Sequence, residues 1–193
     1  MEEQKQKKQI ITISGRPGSG KSTAAKAVTE ILGFEHFSSG DLFRNLGRER
    51  GVELLRANMS PKDSDVLDRL VDARLREIGQ TQDRKVIDSR TAWHWIPGSF
   101  KVFLDLNLEL AAKRILNETS EARNTSEDVH DDPSEYARIL KRRLDSESER
   151  YKAKYNIDPY DLANYDLVID TSQNSAPQVV EQIIAGFKDW LKN

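Results

Sequence analysis

Nine residues near the start of the chain, Gly15-Arg16-Pro17-Gly18-Ser19-Gly20-Lys21-Ser22-Thr23, constrain it more than any other stretch. They fit the pattern G-x-x-x-x-G-K-S/T, which has chemical meaning only where a strand runs in and a helix runs out. Both flanks are legible. Ile10-Ile11-Thr12-Ile13 is apolar and β-branched without alternation, as in a strand covered on both faces. Ser22 to Leu32 places Ala25, Val28, Ile31 and Leu32 on one helical face, and Gly33 follows as a C-cap. The glycines let successive backbone N–H groups turn inward around an anion, and the helix N-terminus adds partial positive charge there. Lys21 then reaches the β- and γ-phosphates of ATP, and the Ser22 hydroxyl is placed to ligand Mg²⁺. Gly15 to Thr23 are therefore the ATP-binding candidates.

The rest of the chain repeats this strand–helix rhythm. Short apolar runs recur at Val86-Ile87, Val102-Phe103-Leu104 and Leu167-Val168-Ile169, with a weaker one at Phe34 to Phe37. Helical spacing marks Val66 to Ile78, with Leu67, Leu70, Val71, Ala73, Leu75 and Ile78, and then Leu108 to Leu116 and Ala176 to Leu191. The alternation predicts a three-layer α/β fold with a five-stranded parallel sheet and right-handed crossovers. At 193 residues one core suffices, assigned to 10–37, 85–116 and 166–193. Two stretches interrupt the rhythm: 38–84, helical without a convincing strand, and 117–165, dense in charge. Either these are solvated surface helices or they are movable insertions over a site, a common device of phosphoryl-transfer enzymes.

Composition removes several classes. A net charge of -2 and a pI of about 6.0 argue against a nucleic-acid partner. The absence of cysteine excludes disulfides, thiolate metal sites and cysteine nucleophiles. The opening MEEQKQKKQ is polar, and no run is long enough to span a membrane, so a cytoplasmic monomer without a membrane partner is the expectation. His36, His94 and His130 are not at metal-ligand spacing, and Asp131-Asp132-Pro133 reads as a helix start.

Ser38-Ser39-Gly40-Asp41-Leu42-Phe43-Arg44 follows the second strand, and Val86-Ile87-Asp88-Ser89-Arg90 closes the third. Ser39 or Asp41 would cap a helix there. Asp88 and Arg90 project beyond a strand's carboxyl end, where sites lie in open α/β sheets, unless they form a surface ion pair. These strings resemble the P-loop nucleoside monophosphate kinases, whose acceptor helix opens with Ser/Thr-Gly-Asp and whose third strand ends in Asp-Gly-Arg. Serine replaces that glycine here. The resemblance implies a P-loop NTPase fold in which Ser39, Gly40, Asp41, Arg44 and Arg90 hold the acceptor monophosphate. A guanidinium suits that task because it is planar, always charged and bidentate. Asp88 would share Mg²⁺ with Ser22.

The segment RILKRRLDSESERYKAKYNIDPYDLANYDLVID, from Arg138 to Asp170, resembles the short cytidylate kinases. Asn156 stands where their Y-G-I-D-like step has glycine. The likeness implies that Arg143 and Arg150 swing over the transferring phosphoryl group, with Arg142 competing with Arg143 for the role, and that Arg114 lies beside the adenine. A second basic residue usual after it is missing, since Asn117 and Glu118 stand in that neighbourhood. A solvated helix with i,i+4 pairs such as Glu147 with Tyr151 is the alternative. Asp65, Asp68 and Arg74 are candidates for base contacts and equally ordinary charged helix residues. In Trp93-His94-Trp95, either the acceptor base is walled by stacking or one Trp is core and His94 exposed.

The resemblance implies Mg-ATP-dependent phosphoryl transfer to a nucleoside monophosphate, CMP or dCMP foremost, with Lys21, Arg90, Arg143 and Arg150 as the catalytic groups. A kinase for AMP, UMP or another small molecule, or a regulatory ATP switch without a small acceptor, is the alternative.

Overall fold

Alternation along the central strands sorts the core into two faces. Ile11, Ile13, Val86, Val102 and Leu104 point to one side and Ile10 and Ile87 to the other, all fully buried. A computed structural model describes residues 7–51, 61–117 and 132–193, with the backbone alone for 61–64. The parts of the two insertions at 52–60 and 118–131, with Glu118, His130 and Asp131, lie outside the described residues, as do residues 1–6.

Five parallel strands run in the order β2-β3-β1-β4-β5: β1 (Ile10–Gly15), β2 (Glu35–Ser38), β3 (Lys85–Asp88), β4 (Phe100–Asp105) and β5 (Leu167–Asp170). The expected three-layer α/β P-loop fold is thus observed. On the first face α1 (Lys21–Leu32) and α7 (Ala176–Lys192) pack through Ala25, Val28, Val180, Ile183 and Phe187. On the second lie α2 (Ser39–Glu49), α3 (Pro61–Thr81) and the single turn α4 (Ala92–Trp95), joined by Phe43, Leu67, Val71, Leu75, Ile78 and Ile96. A third cluster holds α5 (Leu108–Asn117) to the long α6 (Pro133–Tyr155) through Leu106, Ala111, Ala112, Tyr136 and Leu140.

Local chemistry sets the ends. Gly33 closes α1 in the left-handed region at φ 62°. Asp132 caps α6 by accepting from the Ser134 amide at 2.8 Å, with Pro133 in the first turn. The cap of α2 is Ser38, which accepts from the Asp41 amide at 3.2 Å, rather than Ser39 or Asp41. The second strand begins one residue later than its apolar run suggests, because it is the sheet edge and only partly buried. Ile31 is 64% exposed and Ala73 also faces solvent; each sits just off the buried stripe of its helix.

Because β1→β2 and β3→β4 depart in opposite directions across the sheet, the strand order reverses beside β1 and β3. Such a switch point opens a crevice at the carboxyl ends of the strands.

Candidate active site

The loop after β1 turns tightly at Gly15, φ 154°, where a Cβ would lie 2.3 Å from the Leu104 carbonyl oxygen. Only glycine lets the loop pass so close to β4. The Arg16 amide donates to that same carbonyl at 3.1 Å, and Arg16 Nε donates to Asp105 at the end of β4 at 2.5 Å. Gly18 and Gly20 also hold positive φ, and Gly18 rests on Ala111 and Ile115 of α5. Ser19 is buried with its hydroxyl oxygen unpartnered, a polar atom left inside the cradle.

Lys21 Nζ folds back and donates to the Arg16 carbonyl at 3.1 Å. Burial of its ammonium, with Arg90 and Arg143 nearby, lowers its pKa to about 8, against the pull of Asp88 and Glu147. Lysine, both arginines and both carboxylates therefore share one crevice. Ser22 Oγ donates to Asp88 Oδ2 at 2.6 Å. A hydroxyl and a carboxylate oxygen side by side at a phosphate cradle suit Mg²⁺, which takes few protein ligands and completes its shell with phosphate oxygens and water. Among the described residues no cluster of three or more His, Cys, Asp or Glu is placed to hold a metal ion.

Beyond β3, Ser14 Oγ donates to the Ser89 carbonyl at 2.6 Å and Trp93 Nε1 to the Arg90 carbonyl at 2.9 Å, fixing the Asp88–Arg90 turn. Ser39 Oγ donates to the Asp88 carbonyl at 3.3 Å, docking the start of α2 against the same turn. Arg90 Nε meets Glu147 Oε2 at 3.2 Å; burial alone would lower the guanidinium pKa, but Glu147 and Tyr160 hold it above the ordinary value. Arg143 Nε meets Glu147 Oε1 at 3.4 Å, while Arg142 is exposed, so Arg143 is the one turned inward. Arg150 donates to Asp68 Oδ2 at 2.6 Å, and Lys154 reaches Asp65 at 2.6 Å and Asp68 at 3.6 Å. Arg44 pairs with Asp41 at the exposed opening of α2. Arg114 donates to the Thr171 carbonyl at 2.8 Å, which places it beside the loop after β5 and on the helix that supports Gly18.

Glu147 is not a solvated partner of Tyr151: it is 7% exposed and binds Arg90, Arg143 and the Tyr160 hydroxyl, because it falls on the inward stripe of α6. Asp65 and Asp68 are engaged with the cations of α6, and Arg74 pairs with Glu77 on the outer side of α3. Trp93 is core, as one alternative had it, but His94 is half-buried, packed edge-on against Trp95 at 4.4 Å, and its burial lowers its pKa. Asp72 went unnoticed: buried, it accepts from Trp95 Nε1 at 2.9 Å and from the Tyr155 hydroxyl, and burial raises its pKa. Its signal was a carboxylate among the apolar positions of α3.

Fold and site together define a P-loop phosphotransferase of the small-kinase kind. A family model described as an AAA domain matches residues 14–158. The cytidylate kinase of Haloarcula marismortui is 39% identical over 85% of this chain and 81% of its own length. That of Methanocella arvoryzae is 35% identical over 95% and 98%. The chain belongs to the cytidylate kinase family, within the P-loop nucleoside monophosphate kinases. Among solved structures, shikimate kinase from Acinetobacter baumannii in complex with shikimate shares the fold at a TM-score of 0.61 and 16% identity, covering 95% of each chain. A gluconokinase from Sinorhizobium meliloti does so at 0.57 and 18%, covering 98% of this chain and 97% of its own.

Proposed function

We propose that this chain transfers the γ-phosphoryl group of ATP to CMP or dCMP, giving the nucleoside diphosphate and ADP, as a monomer in the cytoplasm. The observation that carries the reading is the placement of Lys21, Ser22 and Asp88 in the same crevice as Arg90 and Arg143, in a member of this family. Gly15 to Thr23 wrap the triphosphate with backbone N–H groups, and Lys21 neutralises its outer oxygens. Ser22 and Asp88 would hold Mg²⁺, which would supply positive charge to offset the charge that develops during transfer. Arg90 and Arg44, with Ser39, Gly40 and Asp41 at the head of α2, hold the acceptor's phosphate. Arg143 and Arg150 cover the transferring group and offset the charge spread over its equatorial oxygens. Arg114 flanks the adenine. No general base is needed, because the attacking phosphate oxygen is already anionic at neutral pH; catalysis is positioning and charge stabilisation. Closure of α6 excludes the water that would otherwise take the phosphoryl group. Among the described residues no helix is long and apolar enough to cross a membrane.

The test is ADP release from Mg-ATP with CMP, dCMP, UMP, AMP or GMP, against a no-acceptor control. Strong stimulation by CMP or dCMP is expected. Stimulation by a different monophosphate alone corrects the base, and an equal slow rate in every tube refutes the acceptor assignment.

A further inference from the structure

Glu147 is the most enclosed carboxylate of the crevice, and three segments of chain converge on it. From the turn after β3 comes Arg90 Nε, at 3.2 Å from Oε2. From its own helix, one turn earlier, comes Arg143 Nε, at 3.4 Å from Oε1. From the segment after α6 comes the Tyr160 hydroxyl, which donates to Oε2 at 2.6 Å. The side chain is 8% exposed, against 24% for Arg90 and 35% for Arg143.

Burying a carboxylate is costly unless it is paired and hydrogen-bonded, and a helix this charged has many solvent-facing positions where a glutamate costs nothing. Here the acid stands on the inward stripe formed by Tyr136, Leu140, Leu144 and Tyr151. Two guanidiniums beside a buried ammonium repel one another, and an anion between them both offsets the repulsion and fixes their planes. Each arginine meets it through Nε, so the Glu147 contact sets the direction of the whole guanidinium.

We infer that Glu147 is a positioning residue for phosphoryl transfer: it orients Arg90 of the acceptor side and Arg143 of the covering helix toward the same phosphate, with Tyr160 fixing the carboxylate. It touches no substrate and acts through the two arginines. This rests on the reaction proposed above and goes beyond it, because it assigns a role to an acid that contributes no positive charge. The arrangement also makes α6 complete only when it lies against the β3 turn, so an acceptor held by Arg90 meets Arg143 already aimed.

The experiment is steady-state kinetics of the full chain and of Glu147→Gln, Glu147→Asp and Tyr160→Phe, varying ATP and CMP separately, with a melting curve for each. Glu147→Gln keeps the shape and an acceptor oxygen but removes the charge. A misplacement on the order of 1 Å costs about 100-fold in rate. Glu147→Gln is therefore expected to lose about 30- to 100-fold in kcat/KM for CMP, with KM for ATP changed less than about threefold. Glu147→Asp, which keeps the charge on a shorter stem, falls between Gln and wild type, and Tyr160→Phe shows the same pattern more weakly. A purely structural glutamate predicts a lower melting temperature with an unchanged CMP-to-ATP balance in the folded fraction. That result, or Gln and Asp variants equally impaired, overturns the inference. If wild type prefers another monophosphate, the comparison is read with that one. If wild type shows no acceptor-stimulated turnover, both the reaction and the positioning role fall, a result distinct from an active wild type matched by an active Gln variant.

Discussion

Replacing Lys21 by methionine separates what the site needs from what the fold prefers. A lysine whose pKa is lowered from 10.5 to about 8 holds its proton at a disadvantage of about 3 kcal/mol relative to water. Methionine is similar in length, apolar, and carries no such burden. It also deprives the Arg16 carbonyl of the donor that Lys21 supplies, which costs about 1 kcal/mol. The net expectation is a protein more stable by about 2 kcal/mol without nucleotide, which for a chain of this size raises Tm by roughly 4–8 °C. Turnover meanwhile falls by at least about 1000-fold, because the charge facing the β- and γ-phosphates is gone. The pH dependence has a definite sign. Below about 8 lysine is protonated in both folded and unfolded chains and the full penalty is present. Between there and its unfolded value of 10.5 the unfolded chain binds the extra proton, so this group makes wild type gain stability as pH rises and the advantage of Lys21→Met shrinks. Adding Mg-ATP opposes this order, since nucleotide stabilises wild type more than a variant that lacks the lysine charge. Thermal melts at pH 7 and pH 10, with and without nucleotide, read all of this. A variant that melts below wild type at pH 7 without nucleotide, or whose advantage is the same at both pH values, refutes the reasoning.

Two further outcomes follow from the loop and its neighbours. Gly15→Ala drives a Cβ to 2.3 Å from the Leu104 carbonyl oxygen, a backbone atom of β4, and is expected to cost about 3 kcal/mol, a Tm loss of roughly 6–12 °C by calorimetry; a melt within about 2 °C of wild type would mean the loop relaxes freely. Asp88→Asn keeps the acceptor for Ser22 but removes the charge, so the Mg²⁺ concentration for half-maximal activity should rise by about 10- to 100-fold, measured by Mg²⁺ titration at saturating ATP; an unchanged requirement would remove Asp88 from the metal site.

The strands of the sheet interior were readable because a strand covered on both faces must be apolar at every position, and Ile10–Ile13, Val86-Ile87 and Val102–Leu104 are close to that. The edge strand β2 was readable only to within a residue, since its half-buried side chains leave no such run. The shape of the loop after β1 was legible, because its positive φ at Gly15, Gly18 and Gly20 demands glycine at fixed places. Asp88 and Arg90 were legible from their position past a strand end. Glu147 and Asp72 were not. A charge in a charged helix reads as solvated unless its place on the inward stripe is weighed above its polarity, and the partners that make burial tolerable come from chain far away in sequence: Arg90 for Glu147, Trp95 and Tyr155 for Asp72. The pairing of Asp68 with Arg150 was hidden for the same reason, as 82 residues separate the partners.

The contact between α3 and α6 has a kinetic meaning. What joins the two helices is mostly long polar side chains reaching across, Arg150 and Lys154 to Asp65 and Asp68 and Tyr155 to Asp72, rather than interlocked hydrocarbon. Hydrocarbon surfaces part only by rehydrating their whole area at once, whereas partly exposed ion pairs can be released one at a time into water and counter-ions. An enzyme that must enclose two nucleotides and then let two others go every cycle gains from such a joint.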